Sequence, residues 1–266
     1  MRTISELFNL SGRSALITGG SGHLGSTIGL ALAECGAKVG LLDKVDTELV
    51  DKKFTNINKE NYQKIKMDLS DKQEVSRISE VVKDTLGSLD ILVNCAAMVG
   101  TDEVKGWVDP VESQSEEVWR DALEINLTVP FVITKHLISV LNESSSPSVI
   151  NIGSIYGVLG PDWSLYSSGD IKGTPAAYAA SKGGLMQLTR WLATSLAPTI
   201  RVNAIVPGGV ERNTPVRFKK EYEKKTPLKR LAKEEDIKGI SVFLASDASS
   251  YITGQCIMVD GGWSVW

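Results

Sequence analysis

Short apolar runs alternate with amphipathic stretches along the whole chain. SALIT (14–18), KVGLLD (38–43), KIKMD (64–68), DILVN (90–94), SVINI (148–152), IRVNAIV (200–206) and QCIMVD (255–260) are bounded by Gly, Asp, Asn or Pro. Their nearly unbroken apolar character predicts strands buried on both faces. Between them, segments 24–35, 71–86, 115–142, 176–196 and 234–246 place apolar residues at helical spacing. Strands alternating with helices predict an α/β unit, a parallel sheet covered on both sides. No repeat or low-complexity linker interrupts the series, so one domain over 1–266 is expected.

Segments 98–113, 157–175 and 209–232 stand outside this alternation and are predicted substrate-side loops. The first two begin at C-terminal strand ends, where ligands bind in open α/β sheets. Trp107, Trp163 and Tyr166 predict that these loops are anchored.

Composition removes alternatives. Apolar residues are 42% and charged residues 23%, values of a globular chain rather than a disordered one. The net charge of −3 comes without a long basic run, so neither nucleic acid nor an anionic membrane is an expected partner. The N-terminus lacks the apolar core of a signal peptide, and no apolar stretch matches a membrane span. Cys35, Cys95 and Cys256 have neither metal nor disulfide spacing, which predicts a reducing, cytoplasmic compartment. With only His23 and His136, no metal site and no Ser-His-Asp triad is expected.

Glycine is in excess, 24 residues or about 9% against a background of roughly 7%. The densest cluster is Thr18-Gly19-Gly20-Ser21-Gly22-His23-Leu24-Gly25, between the first strand and the first helix. Gly20, Gly22 and Gly25 make GxGxxG in the strand–turn–helix setting of a dinucleotide loop. There Gly19, Ser21, Gly22, His23 and Leu24 bring backbone to a pyrophosphate at a helix N-terminus. The His23 side chain itself is read as packing or capping. Asp43 closes the second strand, where a carboxylate accepts from ribose hydroxyls and repels a 2′-phosphate. NAD is therefore expected over NADP, with Lys44 partly offsetting the preference.

Tyr-x-x-x-Lys occurs twice, at Tyr62/Lys66 and Tyr178/Lys182. The first pair falls on a predicted strand, where four residues span roughly 13 Å. The second falls on a helix, where i and i+4 share one face. An adjacent ammonium should lower the Tyr178 pKa and make it a usable acid/base. Ser154 ends a strand in Asn-Ile-Gly-Ser and can orient a substrate oxygen.

Taken together, these motifs resemble the single-domain branch of the short-chain dehydrogenase/reductase family. TGGSGHLG, Asp68-Leu69, Asn94-Cys-Ala-Ala, Asn126 in EINLTVPF, Ser154, Tyr178/Lys182, RVNAIVPGG and FLASDASSYITGQCIMVDGG match its segments in order, nearly end to end. The resemblance implies a Rossmann-type, doubly wound, seven-stranded parallel sheet of order 3-2-1-4-5-6-7 in three αβα layers. It implies hydride transfer between a nicotinamide and a secondary alcohol or ketone. Catalytic roles are implied for Asn126, Ser154, Tyr178 and Lys182, with Tyr178 exchanging the proton and Lys182 also holding the nicotinamide ribose. Cofactor contacts are implied for Asp68, Leu69, Asn94, Ala96, Pro207, Gly208 and Val210. A homo-dimer or homo-tetramer formed through helices 115–142 and 176–196 is implied as well.

Three departures bear on specificity. His23 stands where the single-domain branch has its middle glycine, a form commoner among nucleotide-sugar epimerases and dehydratases. Arg212 stands where many relatives have a threonine that contacts the carboxamide. Ser154 and Tyr178 lie 24 residues apart, more than in relatives, so the added residues must loop out. That loop offers Asp162, Trp163, Ser164, Tyr166, Ser167, Ser168 and Asp170, and a substrate pocket of Ser154, Tyr156, Trp163, Tyr166 and Tyr178 is expected. Aromatic faces mixed with hydroxyls suit a sugar or polyol. The alternatives are a catalytically silent dinucleotide-binding protein, or an epimerase or dehydratase.

Overall fold

The computed structural model describes residues 1–99, 104–167, 169 and 172–266. Seven parallel strands form one sheet: β1 (Ser14–Thr18), β2 (Lys38–Asp43), β3 (Tyr62–Lys66), β4 (Ile91–Asn94), β5 (Ser148–Ile152), β6 (Arg201–Pro207) and β7 (Cys256–Val259). Their order is β3-β2-β1-β4-β5-β6-β7, in agreement with expectation. β1 pairs with β2 on one side and with β4 on the other, so chain direction across the sheet reverses there. That reversal opens a crevice at the C-terminal strand ends.

Every residue of β1, β4, β5 and β6 is buried, which explains their unbroken apolar runs. On one face α1 (His23–Glu34) packs Ile28 and Leu32 against the sheet. On the other face α2 (Ile78–Leu86) contributes Ile78 and Val82 to a second core. The run Glu116–Leu141 comprises α3 (Glu116–Leu123), a π-helical turn Glu124–Thr128 and α4 (Val129–Leu141). By length and composition this run could cross a membrane. Its Ile133, Leu137 and Val140 instead lie in the second core. α5 (Ala176–Leu196) follows on the same face.

Several predicted boundaries move. The third strand begins at Tyr62, and Met67 and Leu69 beyond its end are buried in the second core, which is why its apolar pattern read as later strand. Segment 71–86 is broken at Arg77 into Lys72–Ser76 and α2. The expected loop 209–232 contains α6 (Val216–Lys225), which buries Phe218 and Tyr222 one turn apart within an otherwise charged segment. Segment 234–246 opens with a single 3-10 turn before α7 (Lys238–Ala245).

Candidate active site

The glycine loop folds as a phosphate cradle. Gly19 has φ +66°, and a Cβ there would stand 2.8 Å from the Ala96 Cα. A Cβ on Gly25 would stand 2.1 Å from the Gly19 carbonyl oxygen. Both positions therefore hold backbone too close for any side chain. Gly22 caps α1 without a side-chain bond, leaving the first-turn N–H groups of His23, Leu24 and Gly25 for an anion. Thr18, which the sequence reading passed over, fastens the crevice: its hydroxyl accepts from the Cys95 and Ala96 N–H groups at 3.0 and 3.1 Å. This geometry fits a dinucleotide pyrophosphate.

Asp43 lies beside that cradle. Its carboxylate accepts from the Ser21 N–H at 3.1 Å and the Val45 N–H at 3.3 Å. The His23 ring is half-exposed and faces Glu234, Nδ1 to Oε1 2.8 Å. Glu234 also takes the Thr27 hydroxyl at 3.0 Å and the Lys53 ammonium at 2.5 Å. The histidine thus braces the loop against the segment after β6, in keeping with a packing role.

The remaining cofactor candidates divide between the crevice and its supports. Asp68 follows β3, and the Ser70 N–H and hydroxyl bonds on its Oδ1, at 2.9 and 2.7 Å, hold its carboxyl below the usual range. Leu69 is buried beneath it. Asn94 turns its side chain along the sheet, donating to Asn151 Oδ1 at 2.8 Å, while Asn151 donates to Thr189 at 2.9 Å. It cross-links β4, β5 and α5. Pro207 ends β6, the Gly208 N–H donates to the Val259 carbonyl at 3.0 Å, and Val210 bridges to Ala232.

The four catalytic candidates converge at the C-terminal edge of β4, β5 and β6. Asn126 is fully buried in the π-turn, a feature frequent at functional sites. Its Oδ1 accepts from the Met98 N–H at 2.7 Å, and its Nδ2 donates to the Met98 carbonyl at 3.0 Å and to Ser181 Oγ at 3.1 Å. The amide therefore clamps the chain leaving β4 onto α5. Lys182 is buried one turn after Tyr178 on α5, its Nζ 5.8 Å from the Tyr178 ring centroid and donating to the Ile152 carbonyl at 2.7 Å. The Ser154 hydroxyl lies near enough to Tyr178 to pull its pKa down despite their separation in sequence, because the intervening segment loops out. Tyr62 and Lys66 both lie in β3, away from this cluster.

One electrostatic expectation is overturned. Burial raises the Tyr178 pKa above its ordinary value, outweighing the downward pull of Ser154 and of the Arg212 charge. Burial likewise pushes Lys182 down to about 8. The ammonium, engaged by the Ile152 carbonyl, does not supply the expected depression. Tyr178 is therefore a phenol at neutral pH, suited to giving a proton from its hydroxyl to a carbonyl oxygen.

The looped-out segment docks on α6. Tyr156 and Tyr166 share a hydroxyl–hydroxyl bond of 2.7 Å, and Tyr166 reaches Thr174 at 2.9 Å. A ladder of rings, Trp163–Tyr166–Phe218–Tyr222–Trp263, continues across α6 to the C-terminus with centroid spacings of 4.3 to 6.0 Å. Trp163 is 61% exposed and lies against Gly173, at the rim. Ser168 and Asp170 fall outside the described residues, as does part of the 98–113 loop, whose Trp107 is buried and donates to the Val99 carbonyl at 2.7 Å. Tyr222 was not anticipated. Its hydroxyl accepts from the Gly209 N–H at 2.6 Å, and its ring stacks on Trp263 at 4.3 Å. The pair Phe218/Tyr222 at i, i+4 was the signal available for it.

The family model for enoyl-(acyl carrier protein) reductases matches residues 21–264. The chain belongs to the short-chain dehydrogenase/reductase family. It is accordingly an NAD(P)-dependent oxidoreductase acting on CH–OH donors. Among its short-chain relatives, 2-dehydro-3-deoxy-D-gluconate 5-dehydrogenase of Dickeya dadantii is 31% identical over 268 residues, covering 98% of each chain. A gluconate 5-dehydrogenase from Burkholderia cenocepacia, solved in complex with NADP and tartrate, superposes with a TM-score of 0.85 at 26% identity, covering 99% of this chain and 100% of that one. A short-chain dehydrogenase from Leptospira borgpetersenii with bound NAD+ gives 0.84 at 30% identity, covering 99% and 96%.

Proposed function

We propose that the chain oxidises a secondary alcohol of a sugar or polyol to the ketone, or reduces the ketone, with NAD as the preferred cofactor. The convergence of Ser154, Tyr178 and Lys182 beneath a glycine cradle carries this reading. A bound nicotinamide supplies the hydride acceptor or donor. Ser154 orients the substrate oxygen, and Tyr178 passes a proton between its own hydroxyl and that oxygen. Lys182 would hold the nicotinamide ribose, and Asn126 fixes the backbone around Met98 that borders the site. Asp43 supports NAD, because a carboxylate held at that place repels a 2′-phosphate. NADP in the Burkholderia relative and NAD+ in the Leptospira one make the cofactor a direct object of measurement.

Hydroxyls and aromatic rims around the looped-out segment support a polyhydroxylated substrate, as does the gluconate chemistry named for the relatives. Trp119, Phe131 and Trp191, exposed on α3, α4 and α5, support assembly into a homo-dimer or homo-tetramer through those helices. Three free cysteines suit a reducing, cytoplasmic setting. A dehydrogenase screen over sugars, sugar acids, polyols and hydrophobic alcohols, following nicotinamide absorbance with NAD+ and with NADP+, tests the reading. Turnover confined to a polyhydroxylated compound with NAD+ is the expected result. Turnover of hydrophobic alcohols alone would overturn the substrate class.

A further inference from the structure

We propose that Tyr222 is a positioning residue: its hydroxyl holds the Pro-Gly-Gly turn at 207–209 in the shape that receives the nicotinamide half of the cofactor. The inference rests on the dinucleotide-dependent oxidoreductase reading above and names a residue which that reading does not use.

Strand register gives the turn its place. β5 and β6 pair Ile152 with Ile205, so two residues further on Pro207 stands beside Ser154. The glycine cradle follows β1, and β4 and β5 lie between β1 and β6. A dinucleotide with its pyrophosphate on the cradle and its hydride-carrying ring at Ser154 and Tyr178 runs across those strands and ends against this turn.

The turn does not set its own path. Two consecutive glycines carry great backbone freedom, so their conformation is imposed by what surrounds them. The Gly208 N–H donates to the Val259 carbonyl at 3.0 Å, and the Gly209 carbonyl accepts from the Ala232 N–H at 2.9 Å. The Gly209 N–H donates to the Tyr222 hydroxyl oxygen at 2.6 Å. Of these three bonds only the last depends on a side chain. The fit is steric as well. A Cβ on Gly209 would stand 2.8 Å from Tyr222 Cζ, and one on Gly208 3.1 Å from Tyr222 Oη. Phenol and turn occupy adjoining space, so neither shifts without the other.

The phenol is itself held. Tyr222 is 2% exposed on α6, and Trp263 stacks on its ring at a centroid distance of 4.3 Å and an angle of 15°. Asp260 sets that tryptophan by accepting from the Gly262 and Ser264 N–H groups, each at 2.9 Å. Phe218 stands 6.0 Å from Tyr222, and Tyr166 5.7 Å from Phe218. The Tyr166 hydroxyl meets that of Tyr156, two residues after Ser154, so the column that backs the turn starts at the catalytic edge. Burial pushes the Tyr222 pKa up to about 12, against the downward pull of the Gly209 N–H. The group stays a neutral phenol near neutral pH and serves the turn as an acceptor rather than as an acid.

The test compares NADH with ADP-ribose, which lacks the nicotinamide, by calorimetry on the full chain. Tyr222→Phe removes the hydroxyl and keeps the ring. It is expected to weaken NADH binding roughly three- to tenfold, the scale of one hydrogen bond, and to leave ADP-ribose binding as it is. Tyr222→Leu, which removes ring and hydroxyl together, should widen the gap between the two ligands. Tyr251→Phe, which alters an exposed phenol, should leave both affinities unchanged. A Tyr222→Phe protein that binds both ligands as before would overturn the assignment. So would an equal loss on both, because general loosening of the fold does not single out the nicotinamide. Failure of the unaltered protein to bind either ligand would remove the dinucleotide reading itself, and the positioning role with it.

Discussion

A buried lysine sets the electrostatic tone of the site. Lys182 holds its proton only up to about 8 in the folded chain, against 10.5 for the free side chain. Between those values the unfolded state binds more protons than the native state, so this residue makes stability rise with pH over that window. Measured by thermal denaturation, the unaltered protein should gain on Lys182→Met as pH goes from 8 to 10. A constant difference would contradict the burial argument. Asp43, beside the glycine cradle, is proposed to act on the adenosine ribose. Asp43→Ala should narrow the NADH-over-NADPH preference by roughly tenfold, the scale of one close charge removed, as read from fluorescence titration. The Tyr178/Lys182 pair, the glycine loop and Asp43 were legible in the sequence because each depends on local spacing within one element or its end. The raised Tyr178 pKa was not, because it follows from how much apolar wall surrounds the phenol, a property of several distant segments.

The π-turn Glu124–Thr128 shows how an element serves the site. One helical run was read over 115–142, and periodicity alone carries no sign of an extra residue inside it. Its effect is to turn Asn126 inward, where three hydrogen bonds tie Met98 and Ser181 together. Asn126→Ala leaves the half-buried Met98 N–H and carbonyl without those partners, at a cost of about 1–3 kcal/mol. It should lower Tm by roughly 2–12 °C and cut kcat/KM at least tenfold, whereas an unshifted Tm would remove the clamp from the account. α6 is the complementary case. Its charged outer face hid an amphipathic helix inside an expected loop, although Phe218 and Tyr222 stood at the spacing of one turn. That helix carries the aromatic ladder on which the looped-out segment rests, so the segment is structured by its own rings as well as by the chain before it.

Across the whole molecule, topology does most of the positioning. Reversal of strand order between β1 and β4 places the glycine cradle, the π-turn, Ser154 and α5 along one crevice, although they are scattered from residue 19 to residue 182. The strands were legible in the sequence as continuous apolar runs, whereas their order was implied only by the family resemblance that the ordered motifs carry. The substrate rim was not, because its side chains come from segments whose contacts are tertiary: Trp163 lies at the surface while Tyr222 takes the inner place. The proposed function turns on a proton passing through the Tyr178 hydroxyl. The most direct measurement is therefore turnover by Tyr178→Phe with its best substrate from the screen, alongside NADH binding by the same variant. The account predicts kcat lower by about 10²–10⁴-fold with the NADH dissociation constant changed less than about threefold. Retained turnover in that variant would contradict it.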